Sequence, residues 1–194
     1  MRKVILFNLV TLDGFFEGPG SDISWHQVDD EFNEFAMEQL SLTDGLIFGR
    51  VTYELMANFW PTPAGLNGEP ATASKMNALP KYVFSNTLEK VYWNNTRLIK
   101  GDAAVELKKL KQGSGKDLFI FGSAMLSSTF IRNGLIDEYR LLLNPIVLGS
   151  GVPLFKANGE MRKLKLLNSR LFHNGNVLLY YQPIGELNNA DFDL

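Results

Sequence analysis

Three short stretches of this chain carry residue types that hold phosphate. Gly49-Arg50-Val51-Thr52 offers a guanidinium fork and a hydroxyl. Ser85-Asn86-Thr87 offers hydroxyls and an amide, and Gly122-Ser123-Ala124-Met125 offers a glycine turn that opens a helix. Each follows an apolar run of strand character, at Gly45–Phe48, Tyr82–Phe84 and Leu118–Phe121. A strand that feeds a glycine turn and a helix N-terminus aims backbone N–H groups and a partial positive charge at one spot, which suits a phosphate. Taken singly, each is an ordinary turn. Their recurrence at strand ends is what points to a ligand crevice.

Asp13, in Thr11-Leu12-Asp13-Gly14, follows the first strand and has the chemistry to orient or protonate a substrate; it also suits a plain Asp-Gly turn. Trp25, Trp60 and Phe155 have the flat faces of a ring pocket, and equally of a core. Gly113-Ser114-Gly115-Lys116 echoes a P-loop, yet it precedes a strand and Asp117 follows the lysine, so it reads as a helix-to-strand loop.

The elements that position these residues follow from periodicity and punctuation. Val4–Val10 and Gly45–Phe48 read as buried strands, with shorter ones at Tyr82–Phe84 and Arg97–Ile99. A helix is predicted over Asp29–Leu40, with Phe32, Phe35, Ala36 and Leu40 inward. Its opening carboxylates Asp29, Asp30 and Glu31 suit the helix dipole. A second helix begins near Arg50 with Val51, Leu55 and Phe59 as its apolar stripe, and Pro61 and Pro63 end it. Residues 61–74 read as loop. Asp102 is placed to cap a helix bearing Ala103, Leu107 and Leu110, and Ser123 to cap one bearing Met125, Leu126 and Phe130. Glu138–Leu148 reads as a strand bent at Asn144-Pro145, and Lys163–Phe172 and Asn176–Gln182 as a hairpin turned at Asn174-Gly175. This order implies a three-layer α/β/α domain whose mainly parallel sheet ends in a C-terminal antiparallel hairpin. One domain over 1–194 is expected, with about 184–194 a tail.

Composition narrows the classes. A net charge of -2 over 194 residues argues against a nucleic-acid binder. The absence of cysteine excludes thiolate chemistry and disulfides, and two well-separated histidines, His26 and His173, suggest no metal site. No apolar run approaches the ~20 residues of a membrane span, and the opening run is broken by Asn8 and Asp13 without a cleavage site. A cytoplasmic protein without membrane partners is expected.

Taken together, Leu12-Asp13-Gly14, Phe48 to Glu54, Phe84-Ser85, Phe121 to Ala124, Leu135 to Tyr139 and Pro145 to Gly151 resemble the dihydrofolate reductase-like superfamily. The likeness is greatest to the reductase domain of the bifunctional riboflavin-biosynthesis deaminase/reductase, and it spans nearly the whole chain in order. The resemblance implies NADPH as cofactor, bound by Gly49, Arg50, Thr52, Ser85, Asn86, Thr87, Gly122, Ser123, Ala124 and Met125. It puts Asp13 at the reaction centre as the catalytic residue and it implies a homodimer; Trp25 and Phe155, read from their residue type, are expected beside a small-molecule substrate. One glycine of the family's later pair is Ser123 here. Glu31 and Phe35 share the spacing of the pteridine-binding carboxylate and phenylalanine of true dihydrofolate reductases, but their surroundings do not. The implied activity is reduction of a small heterocycle or ribosylamino-pyrimidine. A non-catalytic nucleotide-binding protein and a true dihydrofolate reductase remain alternatives.

Overall fold

The run Val4–Thr11 forms β1, and its alternation divides the molecule. Val4 and Leu6 face one buried layer, Ile5 and Phe7 the other. A strand covered on both faces needs helices on both sides. The computed structural model describes residues 1–155 and 161–184. Its remaining strands are β2 (Phe15–Glu17), β3 (Thr43–Gly49), β4 (Lys81–Phe84), β5 (Thr96–Ile99), β6 (Asp117–Phe121), β7 (Glu138–Asn144), β8 (Val152–Pro153), β9 (Leu164–Leu171) and β10 (Val177–Pro183). The helices are α1 (Asp30–Leu42), α2 (Arg50–Ala57), α3 (Pro63–Gly68), α4 (Pro70–Ala78), α5 (Ala103–Lys111) and α6 (Ala124–Arg132).

Eight strands form one sheet in the order β5-β4-β3-β6-β1-β7-β10-β9. The first six of that order are mutually parallel, and β10 and β9 add the antiparallel hairpin at one edge. Phe35 and Leu40 of α1, Tyr53 and Ala57 of α2 and Met76 of α4 pack on the face of Phe7, Phe48 and Phe119. Ala104 and Leu107 of α5 and Phe130 of α6 cover the face of Leu6, Ile47 and Ile120. The architecture is therefore the expected three-layer α/β/α with a mainly parallel sheet.

Several local expectations are corrected. Val51, Leu55 and Phe59 lie exposed, and α2 turns Tyr53 and Ala57 inward instead. The Tyr53 hydroxyl oxygen accepts the N–H groups of Tyr92 (2.9 Å) and Trp93 (3.1 Å), which fixes that face against the sheet. Residues 61–74 are largely helical, because Pro63 and Pro70 sit in the first turns of α3 and α4, where a missing N–H costs nothing. Met125 is exposed, while Leu126 and Phe130 pack inward. Strand β7 stops at Asn144, whose side chain takes the Gln27 N–H at 2.9 Å, so residues 145–148 are loop. The pair β2–β8 was not foreseen. Asp29 caps α1 through the Phe32 N–H, and Asp102 caps α5 through the Val105 N–H. Of the expected tail, all but Ile184 lies outside the described residues. No helix among the described residues is long and apolar enough to cross a membrane.

Candidate active site at the carboxyl edge of the sheet

The parallel strands end on one edge, where strand order sets out the turns in the sequence Ser85, Gly49, Gly122, Asp13, belonging to β4, β3, β6 and β1. Three steps of ~4.8 Å make this row about 14 Å long. The chain leaves β3 through α2 toward β4, and leaves β6 through α6 toward β7 on the opposite side of β1. Adjacent strands whose connections diverge define a switch point, where open sheets bind ligands.

Two helix N-termini meet there. Gly49 is the N-cap of α2 and its N–H donates to Ser123 Oγ at 2.8 Å. Gly122 and Ser123 both have left-handed φ (68° and 61°), which a glycine adopts freely and a serine at a cost of about 1–2 kcal/mol. The sequence predicts that the Ser123 side chain caps its own helix; it stands at the N-cap of α6 but makes no such bond, and its hydroxyl oxygen serves Gly49 instead. The Gly122 N–H donates to Asn8 Oδ1 at 2.8 Å, so β1 holds the turn from below. A Cβ on Gly122 would come within 3.2 Å of Thr52 Cγ2 and 3.3 Å of Phe16 Cζ, so Thr52 closes on this turn.

Arg50 opens α2 and pairs with Glu54 at 3.0 Å, with 47% and 37% of the two side chains exposed. Such an i,i+4 surface pair contributes only ~0.3–0.5 kcal/mol, leaving the guanidinium available for a stronger anion. The Ser85 Oγ accepts the N–H groups of Thr87 (3.2 Å) and Leu88 (3.0 Å), and Asn86 Oδ1 accepts that of Gly101 (2.7 Å). These contacts build the turn after β4 and leave Thr87 exposed on it. Ala124 and Met125 form the first turn of α6.

Asp13 is exposed, and its carboxylate is occupied. Thr11 Oγ1 donates to Oδ1 (2.6 Å), and the N–H groups of Leu148 (3.2 Å) and Gly149 (2.7 Å) donate to Oδ1 and Oδ2. The Thr11 hydroxyl, more than the two backbone donors, holds its pKa below the ordinary carboxylate value. Asp13 is thus an ionised acceptor that ties the loop after β1 to residues 148–149. Trp25 and Phe155 share no ring contact. The buried Trp25 ring meets His26 edge-on at 4.4 Å, while exposed Phe155 lies 6.2 Å from Tyr139.

Glu31 accepts Arg170 Nη2 (3.1 Å), the His173 N–H (2.9 Å) and lies 2.8 Å from His173 Nδ1. Led by the His173 N–H, these donors bring its pKa down to about 2. A carboxylate so engaged has no free edge for a pterin. The Gly113–Lys116 segment joins α5 to β6 at the amino edge, away from the crevice, where Lys116 N–H meets Asp44. A shallow groove of about 590 Å³ between α1 and α4 is lined by Glu34, Glu38 and Glu69, which repel phosphate.

Asn8 and Thr11 are the residues that sequence reasoning missed. Asn8 was visible as the lone amide within an apolar strand, a position that normally signals a specific hydrogen-bonding duty.

A family model for the RibD C-terminal domain matches residues 2–178. The chain belongs to this family. Among relatives of the RibD C-terminal domain in this chain is the uncharacterized protein YyaP of Bacillus subtilis (strain 168), 36% identical over 182 residues that cover 93% of this chain and 94% of that one. The diaminohydroxyphosphoribosylaminopyrimidine deaminase/5-amino-6-(5-phosphoribosylamino)uracil reductase of Thermotoga maritima superposes with a TM-score of 0.68 at 18% identity, over 94% of this chain and 57% of that one. A dihydrofolate reductase from Enterococcus faecalis complexed with NADP(H) superposes with a TM-score of 0.63 at 11% identity, over 93% and 96%. At these identities the two structures share the fold.

Proposed function

We propose that this RibD C-terminal domain is an NADPH-dependent reductase acting on a small heterocyclic or ribosylamino-pyrimidine substrate. The observation that carries the reading is the meeting of the Gly49-Arg50 and Gly122-Ser123 turns at the switch point between β3 and β6. Two helix N-termini, a glycine at left-handed φ closely approached by Thr52 and Phe16, and a guanidinium in a weak pair fit a pyrophosphate and a 2′-phosphate. The row of turns suits an extended dinucleotide.

Arg50 and Thr52 would hold the phosphates, with Gly49, Gly122, Ser123, Ala124 and Met125 forming the cradle and Ser85, Asn86 and Thr87 flanking the adenosine end. NADPH, when bound, supplies the hydride. Asp13 orders the loop at the substrate end of the row; as an ionised acceptor it stores no proton, so water held by that loop delivers one. Trp25 would approach the substrate from the loop between β2 and α1, whereas the Phe155 ring lies by Tyr139 near the start of β7, away from this end, and takes no part. The domain works in the cytoplasm as a homodimer, with the edge strand β9 offering Leu166, Leu167 and Leu171 to a second copy.

The test is calorimetry with NADPH, followed by NADPH oxidation against a panel of aminopyrimidine and pterin acceptors. Binding with turnover of an aminopyrimidine is the expected result. Binding without turnover of any acceptor leaves a nucleotide-binding protein, and no binding removes the reading.

A further inference from the structure

We infer that the substrate end of the crevice selects a heterocycle that presents N–H donors and carries no phosphate; this rests on the reading that the crevice holds the cofactor at the Gly49 and Gly122 turns and the substrate beside Asp13. The ground is a separation of charge along the edge. Arg50 and two helix N-termini stand at the ends of β3 and β6. Next in strand order come the ends of β1 and β7, at Thr11 and Asn144, and the start of the antiparallel β10, at Val177.

The chain around these three is acidic or uncharged. Residues 12–29, which lead from β1 to α1, carry Asp13, Glu17, Asp22 and Asp29 and no lysine or arginine, and residues 144–155 carry no charged side chain. Burial keeps His26 of the first stretch neutral, with a pKa of about 4. Arg140 of β7 and Arg170 of β9 are committed to Glu138 (2.6 Å) and Glu31 (3.1 Å), and His173 also lies on Glu31. The N–H groups of Leu148 and Gly149 could cradle an anion, but the ionised Asp13 carboxylate takes both. A phosphate brought here meets like charge and, among the described residues, no uncommitted lysine or arginine at this end.

A second observation is independent of charge. Asn176, just before β10 and wholly buried, gives its amide nitrogen to the Gln27 carbonyl at 2.9 Å. That bond fixes the orientation of the amide, so Oδ1 is an acceptor, and it has no hydrogen-bond partner. The N–H of the same Gln27 is held by Asn144 at 2.9 Å. The end is therefore rich in acceptors and short of donors. Amino and ring N–H groups supply donors, whereas phosphate oxygens are acceptors themselves. The substrate is then a bare amino-heterocycle, or a ribosylamino-pyrimidine without its 5′-phosphate.

The test uses the wild-type protein and three matched probes: an aminopyrimidine, its ribosylamino form and the 5′-phosphate of that form. NADPH binding is measured first by calorimetry, and NADPH oxidation is then followed with each probe. The better of the two phosphate-free probes is expected to exceed the phosphorylated one in kcat/KM by ~10-fold or more, because like charges set against each other reject a ligand. A protein that binds NADPH and uses the phosphorylated probe equally well or better overturns the inference and leaves the cofactor reading standing. Bound NADPH with turnover of none of the three overturns it too. Failure to bind NADPH removes the cofactor reading and this inference together.

Discussion

The carboxylate of Asp13 accepts the backbone N–H of Gly149 at 2.7 Å, joining two loops 136 residues apart in the chain. An amide at position 13 would set its own N–H groups against those of Leu148 or Gly149. Asp13→Asn is therefore expected to free the 148–149 segment and lower turnover, with NADPH affinity nearly unchanged. Hydrogen exchange at the two amides checks it, since unaltered protection would show that other contacts hold the segment. Because the folded pKa is depressed, this tie is present above the unfolded carboxylate value of 3.8 and is lost as pH falls through the lower folded one. A turnover ionisation between about pH 5 and 8 that vanishes in Asp13→Asn would restore a proton-donor role.

Arg50→Ala is expected to weaken NADPH by ~1.5–3 kcal/mol and NADH much less, because only the former carries a 2′-phosphate. The Glu54 pair it must leave is worth only ~0.3–0.5 kcal/mol, too little to hide the effect. Equal losses for both cofactors would detach Arg50 from that phosphate.

Glu31 holds the β9–β10 hairpin to α1, so Glu31→Gln is expected to lower thermal stability at neutral pH while leaving reductase turnover near wild type. Its folded pKa of about 2 lies below the ordinary 4.5, so its contribution stands above pH 4.5 and fades toward pH 2. Collapse of turnover in a stably folded Glu31→Gln protein would revive the pterin-binding role.

His26 is largely buried, and burial brings its pKa down to about 4 against 6.5 when free, with Asp22 opposing the shift. The unfolded chain then binds more protons between those values, so stability rises with pH from about 4 to 6.5. The shift corresponds to roughly 3 kcal/mol. His26→Leu should flatten the melting-temperature profile across that window, and an unchanged slope would assign it to other groups.

A Leu166→Lys/Leu171→Lys double variant puts charge along the exposed edge of β9. Sedimentation should show wild-type dimers and variant monomers. A monomeric wild type would end the edge-pairing proposal.

Much of the fold was legible because parallel strands announce themselves as apolar runs. Leu118–Phe121 and the glycine turns after β3 and β6 stand out from residue type and spacing alone. What failed was local. Spacing alone could not separate the Val51–Leu55–Phe59 stripe from the Tyr53–Ala57 face, since both repeat every four residues and only the Tyr53 hydroxyl contacts decide. Pro63 reads as a helix stop and residues 61–74 as loop, yet Pro63 and Pro70 start helices. At the site, Ser123 suggested a cap by residue type, whereas its oxygen serves a glycine on another strand, a long-range partner that no local pattern reveals.

Strand β6 fills the slot between β3 and β1, and among the described residues the sheet partners of β1 are β6 and β7. During synthesis, the apolar run Val4–Phe7 therefore leaves the ribosome more than a hundred residues before Leu118–Phe121 exists to pair with it. Contacts of such separation must close a long loop before they return any stability, which makes folding slow. Strand β1 thus stays without its sheet partners until β6 and β7 have been made, and in that interval it is an apolar run open to misassociation.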